Sequence, residues 1–327
     1  MNANGLLRDA RERYAARDYV GTAALVEQAD ATRRAAQPEL AFLLAASWRQ
    51  LGRSAEALEL TDAITDDVLR RGTVRLALRR LNLEGMLRFE SGAVAEAEAL
   101  WQRLLGEASE AEDAEYVAHA CNNLGVVYTL QTRHDEALAS YERALVAYQR
   151  MGDRLGLGQA HQNLGITYRE VARPQHADQH FEAARNHATA ATDDRLLGRV
   201  ETERALLHAR RGDVRLAEAT ARRARSRLQL VGDRAGTGEA LRAAGLIAIA
   251  AGRPADAIEP LEQAAEIGRT TGHALLEAEA LLGLSFARAS ETDRIRAAAE
   301  SIFERIGAIQ WGRAMERWII DPKAVVD

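Results

Sequence analysis

From Pro38 onward the chain places apolar residues three and four apart between short polar breaks, the spacing that lays a stripe along one side of a helix. The breaks keep a fixed interval. Small residues stand at Ala45, Gly85, Gly125, Gly165, Ala205 and Gly245, each 40 residues after the last. Seven residues beyond each comes a turn column of Gly52, Gly92, Thr132, Ala172, Gly212 and Gly252. Twelve beyond each comes a pure alanine column of Ala57, Ala97, Ala137, Ala177, Ala217 and Ala257. A fourth column, Gly72, Glu112, Gly152, Thr192, Gly232 and Gly272, closes each unit and is followed by aspartate in four of its six instances. Each unit is predicted as two helices around a turn, with Pro174, Pro254 and Pro260 confined to helix starts or turns. The small residues have a mechanical role, since Gly or Ala lets two helix backbones approach closely.

The expected organisation is a single all-α array over residues 1–327. Residues 1–37 form a degenerate first copy, with short helices around Arg17, Asp18 and Tyr19. Residues 38–272 hold six regular units, 273–308 a shortened last one, 309–320 a capping helix with Trp311 and Trp318, and 321–327 a flexible tail. Such a cap is needed because the last unit has no neighbour to bury its apolar face. Glu201 and Arg204 stand where apolar residues are expected, so the register near Arg195 is the weakest.

In Ala120 to Leu145 the residues Leu124, Gly125, Tyr128, Ala137, Tyr141 and Ala144 match the tetratricopeptide signature, and Leu164, Gly165, Tyr168, Ala177, Phe181 and Ala184 match it again. The chain resembles a tetratricopeptide array over nearly its whole length. The 40-residue period is similar to the extended repeats of kinesin light chains, LGN/Pins polarity adaptors and bacterial Rap-type regulators. The resemblance implies a right-handed superhelical solenoid of about eight antiparallel helix pairs.

Composition removes several functions. A formal charge of −5, pI near 6.0 and 47% hydrophobic residues describe an ordinary globular protein with no global bias toward nucleic acid or anionic membrane. Of the 43 basic residues all but Lys323 are arginine, which reads as codon bias, so only arginine placement is used. Cys121 is the only cysteine and excludes an internal disulfide framework. The N-terminus does not read as a signal peptide, no run approaches membrane-span length, and a cytoplasmic location is expected. No helix-turn-helix is read before or after the array.

A helical wheel places Val117, Cys121, Leu124, Gly125 and Tyr128 on the packing side of the first helix of the reference unit. His119, Asn122, Asn123, Val126 and Leu130 fall opposite and are expected to line a groove. Shifting by one period adds Gln159, Gln162, Asn163 and Ile166, then Arg199 and Thr202, then Arg242, and backward Asn82. Asn123 and Asn163 are equivalent, and a side-chain amide can pair with both N–H and C=O of an extended peptide. With helices roughly 8 to 10 Å apart and about 3.3 Å per extended residue, one amide per unit would grip every third peptide residue. The resembled families place asparagine on this face to hold peptides. The alternative is an asparagine that only bonds its neighbouring helix or water.

No metal, cofactor or catalytic site is expected. His176, His180 and His187 have metal-compatible spacing but no carboxylate to complete a set, and no phosphate loop, nucleophile elbow or HExxH occurs. The unit from Arg195 to Asp233 carries ten arginines against five acids, without interleaved aromatics, and suits a solvated helix face or an acidic protein partner better than nucleic acid. Two functions follow. One is a non-enzymatic scaffold or adaptor binding an extended segment of a protein partner. The other is a Rap-like sensor whose array responds to a small peptide or metabolite.

Overall fold

The computed structural model describes residues 3–64 and 73–321, and all of its regular structure among them is helical. Contacts divide the chain into two compact units, residues 1–116 and 117–327, where the sequence suggests one array. Gly72 and the tail residues 322–327 lie outside the described residues.

In the first unit the chain runs through α1 (Ala3–Ala15), α2 (Tyr19–Glu27), α3 (Ala31–Ala36), α4 (Pro38–Gln50), α5 (Ser54–Asp62), α6 (Val74–Glu90) and α7 (Val94–Glu110). Asp18 caps α2 by accepting from the Gly21 N–H at 2.8 Å. The all-buried run Leu40 to Ala46 makes α4 the hub: α1, α2, α3, α5 and α6 all touch it.

The second unit repeats one motif. Its helices are α8 (Ala114–Leu130), α9 (His134–Met151), α10 (Arg154–Glu170), α11 (Pro174–Ala190), α12 (Asp194–Arg210), α13 (Val214–Leu230), α14 (Arg234–Ala250), α15 (Pro254–Thr271), α16 (Ala274–Ala287), α17 (Thr292–Arg305) and α18 (Ile309–Ile320). From α9 to α18 each helix packs on the next, and the first helices α10, α12, α14 and α16 also touch one another in series. They form a layer, with the second helices behind it.

Each column of the repeat has a mechanical job here. The turn and closing columns are left-handed residues that end helices: φ is +78° at Gly52, +91° at Gly92, +69° at Gly152 and +66° at Gly232. Glu112, Thr132, Ala172 and Thr192 take the same conformation without being glycine, at φ +51° to +59°, a strained choice. The following aspartates cap the next helix: Asp153 accepts from Gly156 N–H at 3.0 Å and Asp193 from Leu196 N–H at 2.8 Å. The small column marks helix contact, and a Cβ on Gly85, Gly125 or Gly165 would stand 2.5 Å from Trp101, Tyr141 or Phe181 respectively.

The segment after Arg195 keeps register. Glu201, though buried, meets Arg223 and Arg227 of α13 at 3.4 Å each, and Arg204 meets Glu182 of α11 at 3.3 Å. Ion pairs stand there in place of apolar contacts.

Candidate functional site: the first-helix layer

On α8 and α10 the layer carries a strip of amides. Asn163 Nδ2 donates to Asn122 Oδ1 at 3.1 Å, so the direct bond links Asn163 to Asn122, one position off the equivalent Asn123. Below it Thr129 and Thr167 hydroxyls meet at 2.8 Å, tying the same helices. Gln159 is exposed, while Gln162, Asn163 and Asn123 are half-buried. His119 is half-buried with Nδ1 3.0 Å from the Tyr148 hydroxyl of α9. Val126 packs with Ala137, Tyr141 and Leu164.

Several residues assigned to the groove by the wheel turn inward. Asn122 is 8% exposed, and Thr202 is fully buried with its hydroxyl donating to the Gly198 carbonyl at 3.0 Å. Leu130 is buried as well. The cause is geometric: a first helix touches its own second helix and a first helix on either side, so a two-faced wheel leaves too wide an exposed arc. Arg199 forks onto Asp233, at 2.9 and 3.2 Å, bracing the cap of α14. In the first unit Asn82 is half-buried on α6.

Toward α16 the layer becomes a ladder of charges. Arg169 donates to Glu203 at 2.5 Å and Glu170 at 3.0 Å, Arg210 forks onto both Glu170 oxygens at 3.0 Å, and Arg242 faces Glu279 at 3.3 Å. Burial alone would raise the Glu170 carboxyl, but Arg210 and Arg169 outweigh it and hold it at about 2. For Glu279 burial wins over Arg242 and its carboxyl is pushed up. Over this ladder lies α18: the Trp311 indole N–H donates to Glu279 Oε1 at 2.6 Å, and the Arg210 guanidinium stands 5.5 Å from the Trp318 ring. The space left among these side chains is small, about 30 Å³. Arg169, Glu279 and the aromatic cover were not legible as site residues, although Glu170 and Arg210, 40 residues apart with opposite charge, carry a signal for the ladder.

Between α10 and α11 four histidines and a tyrosine form a ring stack. His161 Nδ1 lies 2.9 Å from His180 Nδ1, His161 stacks on His187, and Tyr168 stacks with both His176 and His180. Burial, then His180 and His187, push His161 down to about 4. Among the described residues no group of three or more metal-ligating side chains is arranged to hold an ion. Arg204 of α12, Arg211 just after it and Arg227 of α13 pair with Glu182, Asp178 and Asp194 respectively. Arg222 and Arg225 border a shallow cleft of about 200 Å³ beside Ala244.

The tetratricopeptide repeat family matches residues 116–190 and 196–270. Residues 116–190 and 196–270 are thus tetratricopeptide repeats. The chain is similar in fold to a Rap protein complexed with Competence and Sporulation Factor, at 13% identity and TM-score 0.65, over 98% of this chain and 97% of that one. NprR in complex with its cognate peptide NprX gives 14%, 0.64 and 97% of both chains. Aspartyl phosphate phosphatase F from Bacillus subtilis gives 12%, 0.54, 100% of this chain and 96% of that one. No curated protein matches the chain in sequence. No helix among the described residues is long and apolar enough to cross a membrane.

Proposed function

We propose that this chain is a non-enzymatic interaction protein that holds an extended peptide segment of a protein partner along its first-helix layer. The observation that carries this reading is the amide strip of Asn122, Asn123, Gln159, Gln162 and Asn163. The Asn163–Asn122 bond engages one N–H and one lone pair and fixes both amide planes, and preorganised polar groups lose little entropy on meeting a ligand. Likeness to NprR, crystallised in complex with its cognate peptide, at 14% identity supports the fold for such a role.

The test begins with affinity capture on the full chain and identification of the bound segment. Titration calorimetry then compares Asn123→Ala, Asn163→Ala and Gln159→Ala. Each removes about 0.5–1.5 kcal/mol of binding. A folded triple variant that binds as tightly as the parent sinks the proposal.

A second reading is a peptide-responsive sensor, favoured by the covering of part of the layer by α18. Small-angle scattering separates the two: a sensor changes its radius of gyration when the segment is added, and a passive scaffold does not.

A further inference from the structure

Helix α18 reaches further than a cap needs to. One side packs on α17, where the Phe303 ring would stand 2.9 Å from a Cβ on Gly312 and Arg296 pairs with Glu316 at 2.7 Å. That contact already closes the stack. An adjacent face, about a third of a turn round, carries Trp311, Met315 and Trp318, four and three apart. These side chains enter the first-helix layer, and Trp318 arrives over Arg210 of α12, two units back from α16.

The face beneath is charged and incompletely satisfied. Arg210, Arg242 and Glu279 line it beside Leu206 and Leu246. Arg242 is 8% exposed, yet its Nε lies 3.3 Å from Glu279 without hydrogen-bond alignment, and the buried Trp318 indole N–H has no acceptor. An orphaned buried donor and a desolvated charge both cost stability, so this contact is held less firmly than its buried area alone would give. A left-handed glycine, Gly307 at φ +68°, ends α17 and joins it to α18.

We infer that the face formed by Arg210, Arg242, Leu246 and Glu279 is a binding site for an amphipathic helical segment bearing two aromatic residues seven apart, and that α18 is its resident, exchangeable occupant. A partner segment of that chemistry binds by displacing α18, its first aromatic giving an N–H to Glu279 and its second lying over Arg210. The inference rests on the first-helix layer being the binding surface and adds a masked second site to it.

The probe is a fluorescein-labelled peptide with the sequence of residues 306–321, tested on the full chain by fluorescence anisotropy. The full-chain double variant Trp311→Ala/Trp318→Ala binds the peptide at least tenfold more tightly than the wild type, whose own helix competes at high effective concentration. A peptide with Trp318→Ala binds at least tenfold more weakly. In the unaltered chain, hydrogen exchange measures α18 directly. Amides of 309–320 exchange at least a hundredfold faster than those of α14, and excess peptide removes their protection while α14 keeps its own. The inference is overturned if α18 exchanges only together with α14 and α16 and the peptide leaves its protection unchanged. The exchange arm decides even if the double variant does not fold. No foreign partner is used, so failure here is distinct from failure of the amide strip to hold a peptide.

Discussion

Replacing Gly125 by alanine tests the packing logic of the whole repeat. A Cβ at this position would lie 2.5 Å from Tyr141 Cε1 and 2.7 Å from Cδ1 and Cζ, so the ring must retreat by about 1 Å to ordinary contact. Tyr141 cannot do so freely. It is 1% exposed, and its hydroxyl sits 3.3 Å from Thr129 Oγ1, which in turn meets Thr167 Oγ1. Overpacking costs about 1–3 kcal/mol, and disturbing the hydroxyl contact costs about 1 kcal/mol. Against these, alanine is about 1 kcal/mol better than glycine inside a helix. The net expectation is a loss of about 1–3 kcal/mol. Gly106 of α7 is the control: it is exposed, no atom lies within 4 Å of its would-be Cβ, and Gly106→Ala gains about 1 kcal/mol. Urea unfolding followed by circular dichroism reads the global effect, and hydrogen exchange across α8 to α10 reads it locally. Combining Gly125→Ala with Tyr141→Ala relieves the clash, and the cycle shows at least 1 kcal/mol of coupling. A Gly125→Ala chain as stable as its parent, beside a stabilised Gly106→Ala chain, refutes the reasoning.

The left-handed residues give a prediction of opposite sign: Thr132→Gly and Ala172→Gly, at φ +59° and +54°, each stabilise by about 0.5–1 kcal/mol in thermal melts, strain relief of about 1–2 kcal/mol exceeding the added chain entropy. Glu170→Gln leaves Arg210 and Arg169 short of a carboxylate and costs about 3–5 kcal/mol in urea unfolding. Because the folded Glu170 is held near 2, below its ordinary 4.5, its contribution is present above about pH 4.5 and lost as pH falls toward 2; an acid titration of the Gln variant lacks that segment. His161 is pushed below its ordinary 6.5 to about 4, so the unfolded chain takes up the proton first and stability is lost as pH falls from about 6.5 to 4. His161→Leu flattens that part of the stability–pH curve; an unchanged slope counts against the ring stack as its origin.

Much of this was legible before any coordinates, because each repeat column encodes a physical necessity. Left-handed helix ends demand Gly or a tolerated substitute, as at Gly92 and Ala172. Close helix contact demands a small residue opposite a large one, as at Gly165 and Phe181. The amide strip was legible as a patch but not in its pairing, since Asn163 meets Asn122 through a lateral offset between neighbouring helices that a wheel of one helix does not contain. Thr202 and Leu130 were assigned outward for the same reason, burial by helices on both flanks. The reach of Trp318 to Arg210 was not legible, because it depends on the direction the chain takes after Gly307.

Several of the ion pairs that join one repeat to the next lie one period apart in sequence. Glu39 meets Arg79 in the first unit, and in the second Glu170 meets Arg210 and Arg199 approaches Glu239. The corresponding positions in other units hold different residues, such as His119 and Gln159 in the first column and Leu130 and Ala250 in the other. The repeats are thus alike as packing modules but not interchangeable as neighbours. Excising or transposing a whole unit would keep every helix contact in phase while setting Glu170 beside an alanine, so the order of the units is recorded in charge independently of the hydrophobic pattern that makes them fold.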